Sequence, residues 1–155
     1  MKQFTAIAAS VLTFTSFSPA ANATSEANVP HIVGGVGNPN NTSFQPANYS
    51  IKLHVTGRSL LQVSIEPPTG GRLSDAIKIT DQSGKKLDAT ISLNGQRVLI
   101  VFAQPIAPGS TLTIGMQQVR TLDNEMVWHF PVAAKLEGIS EDIPMGAVRV
   151  QPHIR

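Results

Sequence analysis

The sequence predicts an all-β protein: an immunoglobulin-like antiparallel β-sandwich of about seven strands, preceded by a cleavable signal peptide. From Asn48 onward, apolar and polar residues alternate in short runs, which is the period of half-buried strands. Turn residues separate these runs at about the eight- to twelve-residue spacing typical of sandwiches. No amphipathic helical pattern follows the first 23 residues. A closed barrel is the alternative, because the sequence does not show whether the sheet edges meet.

Residues 1–23 have the pattern of a secretory signal. Lys2 gives a positive start, Phe4 to Phe17 is an uncharged and largely apolar run, and Ala21 and Ala23 form an A-x-A cleavage site. The run is shorter than the roughly 20 residues that a membrane-spanning helix needs. We therefore expect export to the periplasm or the extracellular space, a mature chain beginning at Thr24, and no stable membrane insertion after cleavage.

The remaining sequence divides by composition. Residues 24–47 are rich in Asn, Pro, Gly and Ser and are predicted to be a flexible leader. The β-sandwich domain is predicted over residues 48–134. Residues 135–155 are expected to form an irregular C-terminal extension, with one possible strand at Ala147–Val150.

Alternation of apolar side chains predicts the strands one by one. Their bounds are Tyr49–Val55, Leu61–Ile65, Ile77–Thr80, Leu87–Leu93, Arg97–Ala103, Leu112–Val119 and Met126–Val132. Val98–Phe102 is apolar at every position, which predicts a central strand covered on both faces.

Three turns carry specific signatures. Asn94-Gly95 predicts a two-residue hairpin, because both residues tolerate the positive φ of a type I′ turn. Ala107–Ser110 has Pro second and Gly third, as in a type II turn. Asp81–Lys86 is rich in turn-forming residues.

Size, charge and the absence of cysteine exclude several function classes. Removal of the signal leaves 132 of 155 residues, enough for one domain with one core. The formal net charge of the whole chain is +2, to which Lys2 contributes, so nucleic acid is not expected as a partner. With no cysteine, thiol redox chemistry, a cysteine nucleophile and cysteine-ligated zinc are all excluded.

Three segments of the chain resemble a known family. ANYSIKLHV, SLLQVSIEPP and RVLIVFAQPIAPGSTLTIGM, within Ala47 to Ala134, resemble the opening strands and the strand, Pro-Gly turn and strand of the cyanobacterial exported domain-of-unknown-function family 2808. The resemblance implies an exported β-sandwich. It supplies no catalytic or binding residues.

No catalytic constellation is visible, so we predict a protein that is not an enzyme, with no catalytic residues and no cofactor. There is no G-x-S-x-G motif. Ile32–Gly35 reads IVGG, like the mature start of trypsin-type proteases, but the cysteines and GDSGG of those enzymes are absent. The ten acidic residues lie mostly at turns, where solvation explains them. An enzyme whose residues meet only in the fold stays possible at this level.

Metal binding is the alternative function. An exported sandwich could hold copper with imidazole and thioether donors, here His31, His54, His129, His153, Met116, Met126 and Met145. There is no H-x-H motif and no Met-rich cluster, and Met116 lies on a core-facing alternation. We therefore assign no metal ligands from the sequence.

The aromatic residues allow two interpretations. Trp128, with Phe130 and Tyr49, could form an exposed platform for a carbohydrate or a peptide. The favoured interpretation is that Trp128 lies in the core. The N-x-S/T triplets at Asn40, Asn41 and Asn48 are interpreted as loop composition rather than glycosylation sites.

The sequence therefore favours an exported, non-enzymatic module that interacts with an envelope protein or a glycan. Sheet edges and end loops are the expected contact surfaces, because antiparallel sandwiches leave both accessible.

Overall fold

The computed structural model describes residues 28–38, 47–121 and 127–151, and within them it contains nine β-strands and no helix. The strands are β1 His31–Asn38, β2 Ala47–His54, β3 Leu60–Ile65, β4 Ile77–Asp81, β5 Ala89–Asn94, β6 Arg97–Ile106, β7 Thr111–Val119, β8 Trp128–Leu136 and β9 Ile143–Val150.

The strands form two antiparallel sheets. The four-strand sheet has the order β1-β2-β7-β4, and the five-strand sheet has the order β5-β6-β3-β8-β9. No ladder joins one sheet to the other in the described residues. The protein is therefore a β-sandwich rather than a closed barrel, and the predicted fold class is confirmed.

Strict alternation along β2 shows how the sequence forms the core. Tyr49, Ile51 and Leu53 are buried between the sheets, whereas Asn48 and Lys52 are exposed. Burying one aliphatic side chain of this size contributes about 1.5–3 kcal/mol. A one-residue slip of β2 would move these three side chains to solvent, so burial also fixes the register.

Aromatic contacts join the two sheets at the centre of the core. Trp128 is only 2% exposed, which confirms the core interpretation of this residue. Its ring meets the ring of Tyr49 edge-on, with centroids 5.8 Å apart, and the ring centroid of Phe130 lies 5.3 Å from that of Tyr49 in a tilted arrangement. An edge-to-face pair such as Tyr49–Trp128 adds about 0.5–1.5 kcal/mol beyond the area it buries.

The structure confirms two of the three predicted turns and moves the other by one residue. The β5–β6 hairpin forms as predicted, but Asn94 pairs with Arg97, so the two turn residues are Gly95 and Gln96 rather than Asn94 and Gly95. Of these residues only Gly95 has a positive φ, of 67°, which is typical of a type II′ turn rather than the predicted type I′ turn. Gly109 has a φ of 88°, and the N–H of Ser110 donates to the carbonyl of Ala107 at 3.3 Å. In the third turn, the side chain of Asp81 accepts hydrogen bonds from the backbone of Ser83 and Lys85.

β1 corrects the prediction of a flexible leader over residues 24–47. His31–Asn38 is a strand that pairs with β2 along its whole length. The alternation was hidden because three of its eight residues are glycine, and glycine contributes no apolar side chain to the pattern. A Cβ on Gly35 would lie 2.1 Å from Cγ1 of Val148, so the strand needs glycine there to approach β9.

β9 likewise corrects the prediction of an irregular extension over residues 135–155. The strand covers Ile143–Val150 and pairs with β8, with a register shift between Val132 and Ala133. That shift, together with Pro144 and Gly146, interrupts the alternation that would have revealed the strand. Only the end of β9, at Ala147–Val150, was expected as a possible strand.

The prediction that Val98–Phe102 forms a central strand is confirmed, but the prediction that this strand is covered on both faces is wrong. β6 does lie between β5 and β3, but Val101 on its outer side is 40% exposed. The outer face of this sheet is apolar without being covered in the described residues.

Several predicted features lie outside the described residues: the signal peptide with Ala21 and Ala23, and the side chains of Asn40, Asn41, Met126 and His153. In the described part of the chain, no helix is long and apolar enough to cross a membrane.

Candidate functional site

The outer face of the four-strand sheet carries a continuous shallow groove. Two adjoining hollows, of about 400 Å³ and about 390 Å³, share Val36, Ser50 and Thr113 in their walls. We call this combined feature the four-strand groove.

Strand register explains why the groove lies there. Two outward-facing rows cross the sheet. One row is Val36, Ser50, Gly115 and Lys78, and the next is Gly34, Lys52, Thr113 and Thr80. Three of the four residues that the central strands β2 and β7 contribute are small, namely Ser50, Gly115 and Thr113, and they leave a trough that is bordered by the longer side chains of Val36, Lys52 and Lys78.

Both ends of the groove coincide with irregular pairing. In β1 the register shifts between Ile32 and Gly34, so Val33 is an extra residue. In β7, Gln118 has a φ of 55°, and the pairing shifts between Ala47 and Tyr49 of β2. The side chain of Asn48 accepts the N–H of Gln118 at 3.3 Å and so occupies the bulge. Bulges increase the local twist and redirect side chains, and they are frequent beside binding sites.

The groove is positively charged. Lys52 and Lys78 are exposed, no carboxylate lines either hollow, and neither lysine has an ion-pair partner within the described ranges. Asp81, at the end of β4, is engaged in its own turn. The hydroxyl of Ser83 and backbone N–H groups hydrogen bond to this carboxylate, and its pKa is lowered as a result.

Tyr49 forms part of the wall beneath the groove, although its ring belongs to the core. Burial raises the pKa of its phenol to about 12. The hydroxyl therefore stays protonated over the physiological range and adds no negative charge to the groove.

Two of the four histidines meet at one end of the same face. His31 of β1 and His54 of β2 are direct cross-strand partners, and their ring centroids are 5.5 Å apart. Nδ1 of His54 is hydrogen bonded to Oγ1 of Thr111 at 3.0 Å, and Nδ1 of His31 is buried with no hydrogen-bond partner among the described residues. His129 lies exposed on β8 of the other sheet.

The two described methionines do not lie beside the pair of His31 and His54. Met116 is 2% exposed and faces the core, as expected for packing, and Met145 is half-buried on β9 of the five-strand sheet. Among the residues that the structure describes, no three His, Cys, Asp or Glu side chains are grouped to hold a metal ion.

Sequence reasoning missed the groove residues. Alternation alone places Lys52 and Ser50 on the outward side of β2, but it does not show which strands lie beside β2. The juxtaposition of Lys78 and Val36 across four strands follows from the strand order, for which the sequence carries no local signal. β1 itself went unrecognised, so the His31–His54 pair could not be foreseen either.

The fold and the groove together define a class: an all-β sandwich with an open, positively charged surface on one sheet. The chain belongs to the family described as "Protein of unknown function (DUF2808)", whose model matches residues 23–146. The family suggested by the resemblance of Ala47–Ala134 is thereby confirmed. Among curated proteins, none matches the chain.

Solved structures of similar fold include bacterial surface domains. The N-terminal domain of the Streptococcus gordonii adhesin Sgo0707 has a TM-score of 0.54 and 13% identity, over 81% of this chain and 32% of that chain. The collagen binding domain of the Erysipelothrix rhusiopathiae surface protein RspB has a TM-score of 0.49 and 16% identity, over 77% of this chain and 45% of that chain. The chain thus spans less than half the length of either, and the first likeness supports the sandwich fold.

Proposed function

We propose that this protein is a non-enzymatic interaction module of the cell envelope, which binds an extended acidic segment of a protein partner in the four-strand groove. The observation that carries the proposal is the charge of that groove: Lys52 and Lys78 flank it, and no carboxylate lines it. A negatively charged ligand complements such a surface, and a positively charged one is rejected.

The shape of the groove favours an extended chain. Gly34, Ser50, Thr113 and Gly115 keep its centre shallow and open. An extended peptide needs only a narrow trough, with hydrogen-bonding groups that its backbone can reach. The hydroxyls of Ser50, Thr80 and Thr113 supply such groups along the trough.

The burial of the aromatic residues favours a protein over a glycan. Sugar rings are commonly recognised by stacking on exposed aromatic faces. In the part of the chain that the structure describes, the aromatic side chains of Trp128, Tyr49, Phe130 and Phe102 are all buried, so none of them offers such a face. An acidic peptide needs no stacking platform, because lysines and hydroxyls suffice to bind carboxylates and backbone.

The envelope location rests on the signal pattern of residues 1–23, which ends in the A-x-A site at Ala23. Export is tested by N-terminal sequencing of the protein recovered outside the cytoplasm, which is expected to begin at Thr24. A cytoplasmic protein that still begins at Met1 would contradict this part of the proposal.

Binding is tested by fluorescence anisotropy with a labelled Asp/Glu-rich peptide and a Gln/Asn-rich peptide of the same length. We expect the acidic peptide alone to bind, with an affinity that falls as salt rises. The double variant Lys52→Glu/Lys78→Glu should weaken binding about tenfold or more, since each exposed charge contact contributes about 0–1 kcal/mol and reversal also adds repulsion.

The matched control is Lys135→Glu/Arg149→Glu, which makes the same change of net charge on the five-strand sheet. It should leave peptide binding close to wild type. Equal losses in the two double variants would show a general charge effect and contradict the groove. Preferential binding of a uronic-acid polysaccharide would replace the peptide by an anionic glycan.

A further inference from the structure

We propose that His31 and His54 form a two-histidine site for a divalent transition-metal ion, with Cu(II) bound most tightly. The site lies at the end of the four-strand face and uses residues outside the groove. It is independent of the proposed peptide binding and would stand if that proposal failed.

The spacing of the two rings fits a shared ion. His31 and His54 are opposite each other in the β1–β2 ladder, with ring centroids 5.5 Å apart and planes at 66°. Imidazole nitrogens bind such ions at about 2.0–2.1 Å, so two rings that share one ion have centroids about 5–6.5 Å apart. The observed separation lies in this range.

Each ring keeps one nitrogen for the ion. Nδ1 of His54 is hydrogen bonded to Thr111, and Nδ1 of His31 is buried. With both residues half-buried rather than fully buried, Nε2 of each ring is the nitrogen that we assign to the ion. A hydrogen bond to the second nitrogen is the usual way in which a protein orients a ligating histidine, so Thr111 is a positioning residue for His54.

The donor set selects the kind of ion. Two imidazoles without a carboxylate cluster do not suit Ca²⁺ or Mg²⁺, which need several oxygen ligands. Met116 is buried on the opposite side of its sheet, so thioether binding of Cu(I) gains no support. Divalent ions at nitrogen donors follow the Irving–Williams order, in which Cu(II) is highest. Water would complete the coordination, giving an exchangeable site.

Lys52 lies in the next outward row of β2 and opposes a cation. Its ammonium is exposed, so water and salt screen the repulsion. The expected result is a site of moderate affinity rather than a permanently filled one.

The test is calorimetric titration of CuCl₂ and of ZnCl₂ into the full chain without an affinity tag. We expect one Cu(II) per chain, bound more tightly than Zn(II). His31→Gln and His54→Gln should each weaken Cu(II) binding at least tenfold. His129→Gln, an exposed histidine on the other sheet, is the matched control and should bind like wild type.

Two further measurements separate ligation from a structural effect. Electron paramagnetic resonance of the Cu(II) form should show coupling to two imidazole nitrogens in wild type and to one in His31→Gln. Thr111→Val keeps both ligands but removes the orienting hydrogen bond, and it should weaken binding about 10- to 100-fold. Circular dichroism confirms that each variant is folded.

Unchanged affinity in the folded His31→Gln variant would overturn the proposal. So would Cu(II) binding that persists in the double variant His31→Gln/His54→Gln, because the ion would then be held elsewhere. Loss of binding in His129→Gln equal to that in the other variants would have the same meaning.

Discussion

Both outer faces of the sandwich are formed by the outward-pointing side chains of antiparallel strands, but the two faces differ in side-chain size and in charge. On the four-strand face, small residues such as Ser50 and Gly115 leave a groove. On the five-strand face, Leu99 and Val101 occupy the equivalent outward positions of β6 and fill the surface. Side-chain size on the outward rows therefore explains why the groove crosses the middle of the four-strand face.

The two outer faces also differ in how their charged side chains are paired. On the five-strand face Glu66 and Arg97 are paired by a salt bridge. On the four-strand face Lys52 and Lys78 have no acidic partner in the described ranges. The five-strand face also carries Lys135 and Arg149, which have no ion-pair partner within the described residues. What distinguishes the four-strand face is that its unpaired charges border a trough, where they attract a ligand of opposite sign.

The largest expected change in the free energy of unfolding concerns β1, the strand that forms one side of the groove. Gly35→Val places side-chain atoms where Cγ1 of Val148 lies, 2.1 Å from the position of the new Cβ. Urea unfolding should show a loss of about 3 kcal/mol, at the upper end for overpacking. Gly34→Val is the matched control, because a Cβ on Gly34 meets nothing within 4 Å.

Gly34→Val should change the free energy of unfolding by less than about 0.5 kcal/mol, as expected of a tolerant surface position. If the two variants were equally stable, β1 would not present Gly35 to β9 and Gly34 to the groove.

The next effect is a pH dependence that originates beneath the groove. Burial raises the pKa of Tyr49 to about 12 from 10.0. Between these values the unfolded chain loses the phenolic proton and the folded chain keeps it, so stability falls as pH rises. The loss should approach about 2–3 kcal/mol by pH 12. Chemical unfolding at several alkaline pH values measures it.

Tyr49→Phe is the control for this prediction, because it cannot ionise. The difference in stability between wild type and Tyr49→Phe should change with pH only above about pH 10. A constant difference up to pH 12 would mean that the phenol on the inner side of the groove is accessible to water.

The smallest effect compares the charges of the two faces directly. Glu66→Gln breaks the pair with Arg97 and should cost no more than about 1 kcal/mol, as exposed pairs do. Lys78→Gln breaks no pair within the described residues and should cost nothing measurable. Thermal unfolding at low and high salt measures both. A larger loss for Lys78→Gln would show that this lysine stabilises the sheet and is not held free for a ligand.

Local chemistry in the sequence predicted much of the fold. Asn94-Gly95 predicts the presence of the β5–β6 hairpin because Gly95 accepts the positive φ that the turn requires, although the turn is centred one residue later than predicted. Alternation along β2 predicts the buried side of that strand. β1 escaped because Gly34, Gly35 and Gly37 carry no apolar signal. What marks Gly35 and Gly37 in the fold is the close approach of Val148 to the first and of Tyr49 to the second, and both neighbours are distant in sequence.

The candidate site was less accessible to sequence reasoning. The groove depends on the neighbours of β2, and the order β1-β2-β7-β4 is made by pairing between strands that are distant in sequence. His31 and His54 meet through pairing of a strand that the sequence did not reveal. A short motif such as H-x-H would have been visible, whereas a cross-strand pair has no fixed spacing.

The approach of Gly35 to Val148 has a consequence for how the chain reaches its native state. This contact joins β1 and β9, the first and the last described strands. The edge of the sandwich where these two strands meet is therefore completed only after β9 has been synthesised. Contacts so distant in sequence form late, because loop-closure entropy opposes them. In a partly synthesised or partly translocated chain, β1 therefore lacks its contact with β9. We expect β1 and β9 to pack against each other together, in one late step of folding, once β9 is present.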